Sequence, residues 1–168
     1  MATSDRRRRV RQLLLQAAKA RTDDALTLQS GDDNKTQLFA PFSPSPVAVI
    51  DAVWTKLEAA DVALTERDLL VDLGCGDGRW LVSGAQRFNC NALGVELDGN
   101  LVQRARETVQ QQNLQEKIVV SHGDVMQTDI SRAKLVIVYA FAESLAGIAE
   151  WLSGQLGQDA GVLSIGVS

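Results

Sequence analysis

The sequence predicts an α/β fold in which a doubly wound, mostly parallel sheet of about five strands has helices on both faces. Short apolar segments alternate with helical segments of ten to sixteen residues, which is the pattern of repeated βαβ units. The first predicted strand, residues 68–73, is mostly apolar, with Leu or Val at four of its six positions, as expected of a strand buried on both faces of a parallel sheet. A chain of 168 residues suits one such domain.

The predicted elements follow one another without an internal repeat. The first helix of the domain begins at Ser45-Pro46, where the serine is expected to be the N-cap and the proline to lie in the first turn, and it runs to about Ala60. Strands are predicted at residues 68–73, 91–96, 117–121, 134–141 and 161–167. Helices are predicted between these strands at residues 78–88, 98–113 and 144–156.

Residues 1–37 are interpreted as a basic helix and a polar linker that precede a globular domain at residues 38–168. Residues 1–21 hold seven of the seventeen Lys and Arg residues, and apolar side chains at helical spacing predict an amphipathic helix at residues 7–21. Three interpretations stay open: a solvated helix or tail, an address signal, and a contact with an anionic partner. The expected location is cytoplasmic, with a mitochondrial presequence as the alternative because the segment is Arg-rich and acid-poor.

Composition argues against several classes of partner. The net charge is −4, but residues 22–168 hold ten basic and twenty acidic side chains and so carry about −10. Such a surface disfavours a phosphate backbone, so no nucleic acid is expected. The longest apolar run, residues 135–142, is far shorter than the roughly 18 residues of a membrane span. Two cysteines at no metal-ligand spacing and a single histidine, His122, predict no metal site.

The main motif is the turn after the first predicted strand, Asp72-Leu73-Gly74-Cys75-Gly76-Asp77-Gly78, on which a cofactor is predicted to rest. Glycines at alternate positions let the backbone turn sharply and admit a ligand where a Cβ would collide. The helix that opens directly behind the turn presents free N–H groups to a carboxylate or phosphate. A strand before the turn and a helix after it are the context that such a binding site requires.

Acidic residues follow the next two predicted strands. Glu96, twenty residues beyond Gly76, can accept hydrogen bonds from both ribose hydroxyls of an adenosine. Asp124 follows the third strand, where a short acid can reach the exocyclic amine of adenine. Taken singly, the glycines could form a plain tight turn, Glu96 a solvated strand end and Asp124 a turn or helix cap. Their positions at three successive strand ends favour one shared ligand.

The details of the turn favour S-adenosylmethionine over a dinucleotide. Dinucleotide-binding turns place glycines at positions one, three and six, but the sixth position counted from Gly74 is Arg79. Asp72, directly before the turn, would repel a diphosphate and can instead meet the amino group of a methionine moiety.

Residues 38–167 resemble the class I S-adenosylmethionine-dependent methyltransferases, which have a Rossmann-like core. More narrowly, they resemble the small protein-lysine methyltransferase branch that includes the mitochondrial enzymes acting on the ATP synthase c subunit and the adenine nucleotide translocase, with bacterial relatives. The resemblance rests on Pro41-Phe42-Ser43-Pro44-Ser45-Pro46, on Val71 to Arg79, on Gly94-Val95-Glu96-Leu97-Asp98 and on Gly123-Asp124-Val125.

The resemblance implies a role for each matching residue. Asp72, Gly74, Gly76 and Gly78 would hold the methionine end of the cofactor and Glu96 the ribose. Asp124 with Val125 would hold the adenine, and Phe42 would lie over the cofactor from the N-terminal side.

The acceptor site is expected just after the fourth strand, at Tyr139-Ala140-Phe141-Ala142-Glu143. Tyr139 or Phe141 could line a channel for a lysine ammonium through a cation–π contact, and Glu143 could orient the nitrogen. The alternative is that both aromatic residues belong to the core and that Glu143 caps the next helix. The motif of nucleic-acid amino-methyltransferases, Asn/Asp-Pro-Pro-Tyr/Phe, is absent, and so is the proline that relatives often have at position 142.

The leading hypothesis is therefore a protein-lysine N-methyltransferase that uses S-adenosylmethionine. The first alternative is a truncated or inactive cofactor-binding module that acts through protein interaction, and the second is a nucleotide-dependent oxidoreductase. The resemblance also implies a sixth and a seventh strand, which are not predicted before Ser168, so a fragment, a short isoform or a partner that completes the sheet is expected.

Overall fold

A computed structural model of the chain describes residues 42–141 and 145–167. The predicted basic helix at residues 7–21 and the polar linker at residues 22–37 lie outside the described residues.

The described residues form a five-stranded parallel sheet in the order β3-β2-β1-β4-β5. The strands, in chain order from β1 to β5, are Leu69–Leu73, Asn91–Glu96, Ile118–His122, Leu135–Phe141 and Gly161–Val167. Strand β1 lies in the centre, where Leu70 pairs with Ala92 of β2 on one side and with Leu135 of β4 on the other. Because every pair is parallel, all carboxyl ends meet at one edge of the sheet.

Helices connect the strands as the crossovers of a parallel sheet require. The helices, in chain order from α1 to α4, are Val47–Ala59, Arg79–Phe88, Gly99–Gln111 and Leu145–Gln155. A 3₁₀ turn, Val125–Gln127, follows β3. Asp98 caps α3, since its carboxylate accepts hydrogen bonds from the amides of Asn100 and Leu101.

Two hydrophobic clusters cover the two faces of the sheet. One contains the buried side chains of α1, α2 and α3, and the other contains Ile148 and Leu152 of α4. Trp54 lies inside the first cluster with none of its surface exposed, and its indole Nε1 donates a hydrogen bond to Ser83 Oγ at 2.8 Å. The ring of Trp54 meets that of Trp80 edge-on at 5.2 Å, so α1 is packed tightly against the helix that starts at the glycine turn.

The predicted α/β fold is confirmed, and each described element agrees with its predicted bounds within two residues. The predicted start of the first helix is wrong in one detail. Pro46 itself occupies the N-cap position of α1, and the hydroxyl of Ser45 does not cap the helix but accepts a hydrogen bond from Trp80 Nε1. The competing partner is tertiary, 35 residues away, and local sequence does not reveal it.

Within the part of the chain that the structure describes, no helix is both long and apolar enough to cross a membrane.

Candidate functional site

A cavity of about 690 Å³ opens at the carboxyl edge of the sheet, above β1 and beside the glycine turn. Eight of the residues that the sequence assigned to the site line this cavity: Phe42, Asp72, Gly74, Cys75, Glu96, Asp124, Val125 and Tyr139. They come from the ends of four strands and from the segment before α1, so the fold brings together positions up to 97 residues apart. The position agrees with the rule that open α/β sheets bind ligands outside the carboxyl ends of their strands, where the strand order reverses.

The glycine turn has the conformation that its sequence requires. Gly74, Gly76 and Gly78 have φ values of +81°, +54° and +80°, in the left-handed region that favours glycine. The amide of Gly74 donates to the carbonyl oxygen of Val95 at 2.8 Å, which fastens the turn to β2. A Cβ on Gly78 would lie 3.2 Å from the Cβ of Ala105, so this glycine also lets α3 approach the turn.

Glu96 ties the turn to the end of β2. Its Oε2 accepts a hydrogen bond from the amide of Gly76 at 2.9 Å, and its Oε1 accepts from the amides of Leu97 at 2.9 Å and Asp98 at 3.0 Å. A carboxylate offers about four lone-pair sites, so Oε2 keeps room for one more donor from the cavity. The carboxylate is therefore fixed in place and still able to accept a hydrogen bond from a hydroxyl group.

Asp72 places an almost fully buried carboxyl group at the floor of the cavity, with 3% of the residue exposed. Burial, followed by the negative charges of Glu96 and Asp77, raises the pKa of Asp72 to about 8. A cation beside this carboxyl group would favour its ionised form. The residue therefore suits an ammonium ligand.

Asp124 and Val125 form the wall of the cavity after β3. Asp124 Oδ1 accepts a hydrogen bond from the amide of Met126 at 2.9 Å and so caps the 3₁₀ turn, as the structural alternative in the sequence suggested. The same residue also lines the cavity, so capping and ligand contact are compatible. Val125 is buried and adds an apolar surface next to it.

The segment before α1 covers the glycine turn from the other side. The ring of Phe42 occupies the space that a Cβ on Gly76 would need, and 44% of Phe42 is exposed. Gly76 and Gly78 belong to the turn but do not line the cavity, because Phe42 covers one and Ala105 packs against the other. Their predicted contact with the cofactor stays a prediction.

The structure adds three charged residues that the sequence analysis did not assign to the site: Asp98, and the neighbouring side chains of Asp77 and Arg79. Asp77 and Arg79 interact with each other. The two side chains form an ion pair in which Arg79 Nη2 lies 2.6 Å from Asp77 Oδ2. Charged neighbours two positions apart in a turn are common on protein surfaces. This pair differs in its location, because Asp77 lies within the glycine motif and Arg79 follows it directly. The sequence shows that location but not the ion pair.

The predicted acceptor residues are only partly described. Tyr139 is half-buried and lines the cavity beside Ile137 and Ile165. Phe141 ends β4, and its side chain is not among those described, while Glu143 lies outside the described residues.

The cysteines are buried thiols. Burial raises the pKa of Cys75 far above its ordinary value and that of Cys90 to about 11, so neither is a thiolate at neutral pH. Among the described residues, no group of three or more His, Cys, Asp or Glu side chains is arranged to hold a metal ion.

Residues 72–166 match the family model of the ANTKMT methyltransferase domain. The match covers more than half of the 168 residues, and it includes the glycine turn, Glu96 and Asp124. The chain belongs to this methyltransferase family. A curated relative of this methyltransferase domain is a protein-lysine N-methyltransferase from Saccharolobus islandicus, 31% identical over 100 residues. That stretch covers 59% of this chain, and the chain spans 59% of the relative's length.

Solved structures of methyltransferases share the architecture of the domain. An RNA methyltransferase from Salinibacter ruber in complex with S-adenosyl-L-homocysteine superposes with a TM-score of 0.61 at 33% identity, covering 68% of this chain and 72% of that one. A SAM-dependent methyltransferase from Thiobacillus denitrificans in complex with S-adenosyl-L-homocysteine has a TM-score of 0.59. Its identity is 15%, over 90% of this chain and 54% of that one, so this likeness concerns the fold alone.

Proposed function

We propose that the methyltransferase domain binds S-adenosylmethionine in the cavity at the carboxyl edge of the sheet and transfers its methyl group to a lysine side chain of a protein. The observation that carries the proposal is the convergence on one cavity of acidic side chains at three strand ends, Asp72, Glu96 and Asp124. A family match and a relative bound to S-adenosyl-L-homocysteine support the same ligand.

The chemistry of the cavity fits a cationic adenosine derivative. S-adenosylmethionine carries an ammonium and a sulfonium, and the carboxyl group of Asp72 is the buried group that would receive the ammonium. Glu96 Oε2 has a remaining lone pair for a ribose hydroxyl, and Asp124 with Val125 forms the wall that would receive the adenine. The partial positive charge at the start of α2, where the amide of Arg79 already donates to Asp77 Oδ1 at 3.4 Å, would favour the methionine carboxylate.

The reaction demands little acid–base chemistry from the protein. When bound, the cofactor supplies an electrophilic methyl group on a sulfonium, so the chain's own residues must supply alignment and a dry cavity. A lysine must react as a neutral amine, and desolvation in the cavity lowers the pKa of the amine and so favours loss of its proton before the methyl group is transferred. Tyr139 presents an aromatic ring to the cavity, where it can guide the side chain by cation–π contact before the proton leaves.

The relatives name two different acceptors. The Saccharolobus protein is a protein-lysine methyltransferase, and the Salinibacter protein is an RNA methyltransferase. Protein lysine is favoured for this domain because residues 22–168 carry about −10 in net charge, which repels a phosphate backbone and attracts a basic polypeptide.

Binding is tested by calorimetric titration of the chain with S-adenosylhomocysteine. We expect binding by the wild type and a loss of roughly tenfold or more in affinity for Glu96→Ala, because a charged acceptor is removed from the ligand and from the turn. Glu107→Ala is the matched control, since Glu107 is an exposed carboxylate of α3 that pairs with Gln103. A folded wild type that binds no S-adenosylhomocysteine would contradict the proposal.

The acceptor is tested in the same preparation with radiolabelled S-adenosylmethionine and cell extracts. Label that resists nuclease, is released by protease and is recovered as methyl-lysine after acid hydrolysis supports the proposal. Label that nuclease releases would reassign the acceptor to RNA. Binding without any transfer would instead identify a cofactor-binding module.

A further inference from the structure

One guanidinium beside the cavity joins two segments that are far apart in the sequence. Arg79 is the first residue of α2, and its Nε donates to Asp77 Oδ1 at 3.0 Å while its Nη2 donates to Asp77 Oδ2 at 2.6 Å. Its Nη1 donates to the main-chain carbonyl oxygen of Ser45 at 2.8 Å. Arg79 thus fastens the segment 42–45 to the glycine turn that this segment covers.

A second hydrogen bond acts on the same residue of the covering segment. Trp80, the next residue of α2, donates from its indole Nε1 to Ser45 Oγ at 3.2 Å. Ser45 is buried, with 8% of its surface exposed, and its hydrogen bond from Trp80 is shielded from water. The hydrogen bond from Arg79 is only partly buried. The first two residues of α2 therefore hold the main chain and the side chain of Ser45 together.

The segment held in this way is one wall of the cavity. Residues 42–45 line the cavity together with Glu96 and Asp124. The ring of Phe42 packs over Gly76, three residues before Arg79. The position of Ser45 therefore bears on where the neighbouring ring of Phe42 lies against the glycine turn.

The shape of the guanidinium matters for this arrangement. An arginine presents its N–H donors in a rigid planar fork, whereas a lysine ammonium is a single point of charge on a flexible stem. Although burial acts to raise the pKa of Asp77, the hydrogen bonds and charge of Arg79 hold that pKa below its usual range. The carboxylate stays charged at neutral pH, so Arg79 keeps a fixed anchor on one side and a free donor for Ser45 on the other.

We propose that Arg79 is a positioning residue that sets the width of the cofactor cavity by fixing Ser45, and that it acts through residues 42–45 rather than by pairing with the carboxylate of the cofactor. The inference rests on the proposed function, since it assumes that this cavity holds S-adenosylmethionine.

The test compares two cofactors and two arginines by calorimetry. Decarboxylated S-adenosylmethionine lacks only the carboxylate that a direct ion pair would need. Arg87→Lys is the matched control for Arg79→Lys, because Arg87 lies on the same helix and pairs with Glu58 at the same distance, 2.6 Å. We expect Arg79→Lys to raise the Kd of both cofactors by a similar factor, about tenfold, and Arg87→Lys to change neither by more than about twofold.

Two results would overturn the inference. The first is that Arg79→Lys binds both cofactors with the same Kd as the wild type. The second is that the variant loses affinity for S-adenosylmethionine alone, which would show that Arg79 pairs directly with the carboxylate of that cofactor. Ser45→Ala gives a second, independent measurement. This variant loses the hydrogen bond from Trp80, and we expect the Kd of both cofactors to rise several-fold. If the wild type binds neither cofactor, the proposed function itself is wrong. That result differs from the two results that would overturn only the role of Arg79, because in both of those the wild type binds the cofactors.

Discussion

At the scale of single residues, Asp72 shows how the fold changes the chemistry of one carboxyl group. The strand places it under the glycine turn, where Glu96 and Asp77 add negative charge to an already buried site. In the native protein the pKa of Asp72 is about 8, against an ordinary value of 3.8. The ligand-free protein therefore holds a proton at this position at neutral pH, and a cationic ligand would release it.

We expect Asp72→Asn to stabilise the ligand-free protein at about pH 8 and to leave its stability nearly unchanged at about pH 4. Between the ordinary pKa and the raised one, the native state binds more protons than the unfolded chain, so its free energy of unfolding falls as the pH rises. Asparagine removes that loss because it does not ionise. Thermal unfolding across this pH range measures the effect, with the exposed Glu116→Gln as control. Parallel pH profiles of the wild type and Asp72→Asn would contradict it.

A site residue could be predicted where its spacing from a motif indicates its role, and not where its role depends on a contact between distant segments. Glu96 was identified by its distance of twenty residues from Gly76, and the structure joins the two by a hydrogen bond. Arg79 departs from the dinucleotide pattern and ends the motif that carries the resemblance, but neither observation assigns it a role. Its main-chain partner, the carbonyl of Ser45, lies 34 residues away and can be any residue type, so no motif records the contact.

At the scale of elements, Gly94 is the point where β2, the glycine turn and α2 meet. A Cβ at this position would collide with Leu81 Cδ1 and would lie 2.7 Å from Cys75 Sγ and 3.0 Å from Cys75 Cβ. Leu81 is fully buried and has no open space to move into, whereas Cys75 belongs to the turn and borders the cavity. Packing between these elements depends on the missing side chain.

We expect Gly94→Ala to lower the free energy of unfolding by about 1–3 kcal/mol, as overpacking of a close-packed interior does. Displacement of Cys75 should also weaken cofactor binding, because the residue lines the cavity. Gly99→Ala is the control: it lies in the first turn of α3, and its Cβ would meet its nearest neighbour, His122 Cε1, at an ordinary 3.6 Å. Urea unfolding of both variants measures the effect. Equal urea midpoints for Gly94→Ala and Gly99→Ala would contradict the prediction and show that the interior relaxes to accept the extra methyl group.

The elements themselves could be predicted because apolar periodicity is local, whereas their contacts are not. The first helix illustrates the difference. Its span is predicted from the spacing of Val47, Ile50, Val53, Trp54 and Leu57, of which all but the exposed Val47 are buried. Its N-cap was predicted wrongly because the hydroxyl of Ser45 is drawn to Trp80, and that competition is settled by tertiary packing.

At the scale of the whole molecule, the strand order explains why one cavity collects residues from four strand ends. After β3 the chain returns across the sheet and places β4 on the other side of β1, so the crossover connections diverge above the centre. The sequence predicted parallel strands and their number but not this order, which depends on which edges pair. The cellular location stays a prediction, since residues 1–37 lie outside the described residues.

The charge of the cavity should govern how the protein acceptor approaches. Among the described residues, five acidic side chains line it against one arginine, whose charge Asp77 neutralises: Asp72, Asp77, Glu96, Asp98 and Asp124. Asp72 adds its negative charge once a cationic cofactor has released its proton. For a peptide in which basic residues flank the lysine, we expect the KM to rise several-fold between about 50 mM and about 300 mM salt, because salt screens the long-range attraction between peptide and cavity. The kcat should stay nearly constant, because screening leaves the aligned complex unchanged. A peptide with the same lysine between acidic flanks is the control and should show a higher KM at low salt that falls as salt is added. Steady-state kinetics with labelled cofactor measures both, and salt profiles that do not depend on the sign of the flanking charges would mean that the acceptor is selected by contacts other than this acidic surface.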